Sequence, residues 1–533
     1  MQRSHTYLPY SDTGYFSALV IDYLANHGAA RPFFSFTPDS SGIARSIEQR
    51  SRTPIDRGTL SGTLERQYLS LKKHPKVEEH IAQLRAENTF TVCTAHQPNL
   101  LTGYLYFIYK IIHAIKLSEE LKASYPGKNF VPVYYMGSED NDLDELGTFN
   151  YAGKKYRWDG DGQEGAVGRM KTQSLKPLLN ELFKVLGPPG ANLDSLTEML
   201  TEAYLKHETI GAATQYLVNE LFGRYGLLVL DPDDAVLKKQ FITIMKDDLL
   251  NQQAYSLVSA QAEKLEEHFK AQAHPRPINL FYLKDGLRER IEKQGSNWQV
   301  LHTGIQWTET ELLHELETHP ERFSPNVILR GLFQETILPN VAFIGGGAEV
   351  AYWLQLKPLF EYYNVFYPVV LLRQSVLWIN KRQSELREKT GLTIEEMFKP
   401  ETELVRQYIT THGDNGWQTT EEVTAIEKIL AQLRAKATSL DVTLRSSADA
   451  VMAKIRYQVQ VLEKKMLRAE KRKMQTELLR ISKLKQDIFP NNSLQERVEN
   501  FVGYYLQYGS AFFDVLKDAI QPLKNEFLVI EEK

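Results

Sequence analysis

Two polar turns, each closing a strand-like apolar run and joined by a single helical segment, constrain this chain more than any other feature. The first run, Phe90-Thr91-Val92-Cys93, leads into Thr94-Ala95-His96-Gln97-Pro98-Asn99-Leu100-Leu101-Thr102-Gly103. The second, Phe130-Val131-Pro132-Val133-Tyr134-Tyr135-Met136, leads into Gly137-Ser138-Glu139-Asp140-Asn141-Asp142-Leu143-Asp144-Glu145. Between them Tyr106, Ile108, Ile111, Ile112, Ile115 and Leu117 follow a helical pattern. Strand, turn, helix, strand, turn is a βαβ unit, whose strands pair in parallel. Open parallel sheets bind ligands at the carboxyl ends of their strands, where both polar turns belong. The expectation is an α/β fold with a Rossmann-like parallel sheet, serving an enzyme or a nucleotide binder.

With 533 residues, two or three domains are expected. A formal net charge of -4 gives no global attraction to nucleic acid or to an anionic membrane, so any basic surface must be local. The single cysteine, Cys93, excludes an intrachain disulfide framework and a multi-thiolate zinc site. Its apolar neighbours predict burial as a small hydrophobe. No charged start with an apolar stretch opens the chain, and no apolar run approaches the length of a membrane span, so a cytoplasmic protein is expected.

Residues 1–148 read as the first part of the core, helical with loops up to about Leu84. A first insertion covers 149–219, opening on a hairpin at Tyr151-Ala152-Gly153-Lys154. The core resumes over 220–265, where Tyr225–Leu230 is strand-like and Asp231 or Asp233 is placed to cap the helix from Ala235. A second insertion spans 266–323. Core residues 324–380 follow, with the strand-to-glycine turn Asn340–Glu349 and the strand Phe366–Leu372. Over 381–490, Ile426, Leu430, Leu433, Ala437, Leu440 and Leu444, then Ile455, Val459, Leu462, Met466 and Ala469, step by alternating fours and threes. That is the seam of a left-handed coiled coil. Ser446-Ser447-Ala448-Asp449 breaks it, predicting two antiparallel helices joined there. Residues 491–533 read as a last helical segment.

The ordered series HQPNLLTGYLYFIYKI from His96, VPVYYMGSEDNDLDEL from Val131, YGLLVLDPDD from Tyr225, SPNVILRGLFQETILPNVAFIGGGAEVAYWLQLKPLF from Ser324, PVVLLRQS from Pro368 and SLQERVENF from Ser493 resembles the bacillithiol-biosynthesis cysteine-adding enzymes. The resemblance spans most of the chain. It implies a core related to class I aminoacyl-tRNA synthetases, interrupted by two connecting-peptide insertions, and a helical coiled-coil domain that makes a homodimer. It further implies addition of L-cysteine to glucosaminyl-malate with ATP and Mg, and no zinc is expected. Three departures stand out: Ala95-His96-Gln97 where the family usually reads GQQ, Asn141 where its acidic motif has histidine, and Gly345-Gly346-Gly347-Ala348-Glu349 where GGPGE is frequent.

By that resemblance His96, with Gln97, Asn99, Thr102 and Gly103 at the following helix start, offers donors to phosphate oxygens; the alternative is that His96 braces the turn. Glu139 and Asp140 are candidates for a substrate amine or sugar hydroxyls and Asp142 for a phosphate-bound metal, while Asp144 and Glu145 suit helix capping. Gly345, Gly346 and Gly347 let backbone approach adenine or ribose, with Glu349 accepting from hydroxyls or an amine. Arg373 with Ser375, and Arg330, suit a phosphate or a malyl carboxylate; a structural salt bridge is the competing reading of both arginines. The basic run Lys464, Lys465, Arg468, Lys471, Arg472, Lys473, Arg480, Lys483 and Lys485 reads as a solvated face, so nucleic acid is not an expected partner. Arg497, Asn500 and Tyr505 are further candidates for nucleotide contact. The expected partners are therefore L-cysteine, glucosaminyl-malate, a nucleotide and a second copy of the chain. The alternatives are nucleotidyl transfer to another amino sugar, or a synthetase-derived RNA- or nucleotide-binding scaffold.

Overall fold

The computed structural model describes residues 2–26, 28–413 and 419–533. Its centre is a five-stranded sheet, numbered here β1 (Thr89–His96), β2 (Asn129–Met136), β3 (Leu228–Leu230), β4 (Asn340–Gly345) and β5 (Val369–Leu372). Every neighbouring pair is parallel and the spatial order is β5-β4-β1-β2-β3. Read from the far edge this is 3-2-1-4-5, the doubly wound order whose direction of growth reverses between β1 and β4. Both sheet faces are covered, so the strands are apolar almost throughout. Cys93 and Ala95 face one core cluster while Phe90 and Val92 face another. Cys93 is fully buried, as its neighbours predict.

Helix Leu105–Ser124 crosses from β1 to β2, and Gly347–Tyr362 from β4 to β5. Between β2 and β3 the chain makes the expected hairpin, Thr148–Tyr151 against Lys154–Arg157. Ala152 and Gly153 both have positive φ (49° and 76°), as a two-residue primed turn requires. Helices Ala191–Lys206 and Ile210–Phe222 follow. Between β3 and β4 lies a second sheet, entirely antiparallel, built from Leu280–Lys284, Leu287–Gln294, Asn297–Val300, Gln306–Trp307 and Phe323–Pro325. Neither Asp231 nor Asp233 caps the helix from Ala235. Asp234 does, accepting from Val236 N at 2.8 Å and Leu237 N at 3.1 Å.

Beyond β5, Val376–Ile379 joins a third sheet with the chain's two ends. Glu526–Glu532 lies parallel to it and antiparallel to Arg3–Pro9. The helical reading of both ends fails at these strands, whose partners are too far apart in sequence for local pattern to reveal. Helices Thr420–Leu440 and Leu444–Lys473 form an antiparallel hairpin, registered by Arg434–Asp449 (2.7 Å) and Arg456–Glu427 (3.1 Å). Its turn is Asp441–Thr443, earlier than the expected break, and Ser446–Asp449 is helical. Lys485 does not belong to a solvated stripe: it is buried and donates to the Met397 carbonyl.

Candidate active site

Sheet register explains why distant motifs meet. His96 pairs with Met136 across β1 and β2, and Gly345 pairs with Leu372 across β4 and β5. The segments after residues 96, 136, 345 and 372 therefore leave the sheet at one rim, astride the β1/β4 reversal. A cleft of about 880 Å³ opens there, within the usual range for small-molecule sites. His96, Gln97, Glu139, Asp140, Asp142, Arg330, Gly346, Gly347, Glu349 and Arg373 all line it.

His96 sits against the rings of Tyr106 and Phe107, at centroid distances of 5.3 and 5.4 Å. Its Nε2 is buried with no hydrogen-bond partner among the described residues. Burial, reinforced by Lys110, Arg373 and Arg330, holds the imidazole well below its usual pKa, so it is neutral at physiological pH. Gln97 Nε2 donates to Asp140 Oδ2 at 3.0 Å. Glu139 is ion-paired to the buried Lys238, which also lies 3.7 Å from Asp233. Burial raises the Glu139 carboxyl, and Lys238 opposes that shift. Asp233 in turn takes Arg169 in a two-pronged contact at 2.7 and 2.8 Å. Asp142 caps the short helix Leu143–Leu146, accepting from Glu145 N at 3.1 Å. The capping role expected of Asp144 and Glu145 thus falls to Asp142. Asp144 pairs with Arg157 at the surface, while Glu145 lines the cleft, its carboxyl raised by burial and by Asp142 and Asp140.

Across the rim, the Gly347–Tyr362 helix points its N-terminus at the cleft. Glu349 accepts from Gly346 N at 2.8 Å and is ion-paired to Lys110, leaving it less free for a ribose than the sequence suggests. Arg373 makes the salt bridge that was its competing reading. Its fork is occupied by Glu496 in a buried bidentate pair at 2.6 and 2.8 Å, yet Nε is left without a partner among the described residues. Arg330 has no carboxylate within ion-pair distance among the described residues; it donates to Tyr352 Oη and, at 3.5 Å, to Gln334 Oε1.

Seven expected ligand contacts lie off the cleft. Asn99 is buried behind it, and Thr102 and Gly103 belong to a tight turn with positive φ (64° and 67°). Asn500 Nδ2 clamps that turn by donating to the carbonyls of Leu101 and Gly103, and the Glu499 carbonyl already accepts the N–H of Leu105. Gly345 is buried at the end of β4. Ser375 is buried, donating to Glu496 at 3.1 Å. Arg497 does line the cleft, whereas Tyr505 contacts Ser195 elsewhere. Sequence reasoning missed Lys110, Tyr106, Arg276, Arg288 and Arg290 in the cleft wall. Lys110 was signalled only by being a charge within the largely apolar run Leu105–Ile115.

A doubly wound parallel sheet with a mixed-charge cleft across its reversal point defines a Rossmann-type ligand-binding protein carrying two insertions and a helical hairpin. The chain belongs to the BshC family of bacillithiol biosynthesis. Residues 3–374 match the family's N-terminal Rossmann-like domain and 376–532 its C-terminal coiled-coil domain. Relatives named "Putative cysteine ligase BshC" include those of Flavobacterium psychrophilum and Flavobacterium johnsoniae. Each is 38% identical over 527 residues, covering 98% of this chain and 99% of the relative. That of Cytophaga hutchinsonii is 38% identical over 512 residues, covering 96% of both. A solved Campylobacter jejuni structure described as a putative arginyl tRNA synthetase aligns at 11% identity with a TM-score of 0.22, too low to argue from. No helix among the described residues is long and apolar enough to cross a membrane.

Proposed function

We propose that this chain is a ligase joining L-cysteine to glucosaminyl-malate through an amide bond, with a nucleotide activating the carboxylate. Full-length kinship to proteins named cysteine ligases supports the reaction class. The observation that carries the site is the division of charge in one cleft. Glu139, Asp140, Asp142 and Glu145 gather at the end of β2, with Lys110, Arg330 and arginines of the second insertion around them. Substrates bearing both an amine and carboxylates or phosphates need both signs within one cavity.

ATP with Mg, when bound, would supply the leaving group that makes the cysteine carboxyl carbon an acceptor for the sugar amine. The residues fit its phosphates: Lys110, the free Nε of Arg373, the unpartnered Nε2 of His96 and the N-terminus of the Gly347–Tyr362 helix. Among the described residues no group of three His, Cys, Asp or Glu side chains is arranged to hold a metal. A magnesium ion would take most of its ligands from phosphate and water, with Asp142 as the protein candidate that the sequence suggests. Glu139 and Asp140 hold the acceptor's ammonium by charge; the nitrogen attacks as the free amine, after giving up one proton to solvent. Glu145, its carboxyl raised by burial, is suited to accept the proton that the amine releases as the carbon–nitrogen bond forms.

Purified protein with glucosaminyl-malate, cysteine and ATP is expected to yield the thiol amide by mass spectrometry. AMP release would assign an adenylate and ADP an acyl phosphate. Folded protein that binds ATP and both substrates but yields no amide would overturn the reading.

A further inference from the structure

We propose, resting on the function above, that the second insertion provides a seat for a dicarboxylate, the malyl end of the acceptor, through Arg276, Arg288 and Arg290 with Arg330 at its margin. The sheet of this insertion builds a basic wall by alternation. Arg288 and Arg290 are two residues apart on one strand, so they share a face, and Arg290 pairs across the ladder with Phe281. Phe281 pairs in turn with Ser324 on the next strand. Asn326, two residues beyond Ser324, caps the helix that presents Arg330 one turn later. Asn279 ties the pieces together, accepting from Asn326 Nδ2 at 3.1 Å and from Arg276 N at 3.1 Å, while its own N–H donates to the buried Asp248 at 2.6 Å.

These cations differ in what they already hold. Arg288 is enclosed, with its guanidinium 3.9 Å from the Phe281 ring centroid. Its Nη1 donates to Asn141 at 3.0 Å and lies 4.0 Å from Asp140, so it stands between the acidic group and the rest of the wall. Arg276, Arg290 and Arg330 line the same cleft without a carboxylate in ion-pair range among the described residues. By contrast, two cations on the β1/β4 side, Lys110 and Arg373, are each answered by a glutamate. Guanidinium forks match carboxylates and phosphates alike, but a dicarboxylate needs two of them spaced apart, which an arginine pair on alternate residues supplies. The acceptor's amine is then left for the acidic group beyond Arg288.

Calorimetric titration of the full-length chain with glucosaminyl-malate, methyl glucosaminide and ATP, each alone, tests this. Arg290→Gln and Arg276→Gln should each weaken glucosaminyl-malate by about ten- to hundred-fold, with ATP within about twofold. Wild type should bind methyl glucosaminide, which lacks the carboxylates, as weakly as the variants bind glucosaminyl-malate. Arg290→Lys, which keeps the charge but not the fork, should fall between. A larger loss for ATP than for glucosaminyl-malate would assign the wall to phosphate and overturn the proposal, as would unchanged glucosaminyl-malate affinity in both variants. Binding is read without turnover. A chain that held the acceptor through these arginines yet formed no amide would sink the ligase reading and leave this one standing.

Discussion

Glu335, near the end of the helix that leads into β4, is fully enclosed. One oxygen accepts from Gln334 Nε2 at 2.7 Å and Asn340 Nδ2 at 2.9 Å; the other has no partner among the described residues. Burial pushes this carboxyl up from 4.5 to about 7, against the opposing charge of Arg50. Between those values the folded chain holds a proton that the unfolded chain has released. Stability from this group is therefore complete below about pH 4.5 and is lost as pH rises through about 7. The full swing is roughly 3 kcal/mol at most. Glu335→Gln should be less stable at pH 5, because an amide nitrogen replaces the unpartnered oxygen, yet flatter from pH 5 to 8. Melting temperatures at the two pH values check this, and a fall as steep as that of wild type would refute it. The cleft residues obey the same logic of enclosure. His96 was readable as a strand-end histidine, but its neutrality comes from burial, reinforced by Lys110, Arg373 and Arg330, and no local pattern shows either the enclosure or those neighbours.

Elements far apart in sequence share one electrostatic joint. Arg373 at the end of β5 and Glu496 in the turn Gln495–Arg497 are 123 residues apart, and the whole helical hairpin lies between them. Their bidentate pair is buried on both sides, so removing one partner strands the other charge away from water. Glu496→Ala should lower stability by roughly 3–5 kcal/mol, with Glu496→Gln milder. Denaturant unfolding reads this directly, and an unshifted midpoint for the alanine variant would show the pair to be dispensable. The long helix Leu105–Ser124 and the primed hairpin turn at Ala152-Gly153 were legible because periodicity and turn chemistry act within a few residues. The strands Arg3–Pro9 and Glu526–Glu532 were not, since each is a short run whose identity depends on a partner at the other end of the chain. The same locality limited the caps. A run of aspartates announces that a helix starts, but the loop's path selects Asp142 over Asp144, and Asp234 over Asp231 and Asp233.

For the molecule as a whole, the helical hairpin leaves a second apolar stripe uncovered. Leu433 and Leu462, both in the expected seam, remain 55% exposed each, with Ile429, Leu440 and Val451 also open to solvent. Leu430 is buried, and Ile455 and Val459 are half-buried. An apolar face of that kind suits a second copy of the chain, and a homodimer through the hairpin is our expectation. Light scattering should report a dimer. Leu433→Lys with Leu462→Lys should shift it to monomer with the protomer's melting temperature nearly unchanged. A wild type that is monomeric at micromolar concentration would refute the expectation.

What the sequence determined alone is the parallel α/β core with its strand-end polar turns, because strand, helix and turn signals are short-range and a βαβ unit admits few arrangements. The tertiary structure decided which of those polar residues share a cavity. Parallel register set His96, Gly137, Gly346 and Arg373 at one rim, enclosed Asn99, Gly345 and Ser375 behind it, and brought the second insertion's arginines across the opening. Register and burial depend on pairings between segments hundreds of residues apart, so no local pattern carries them.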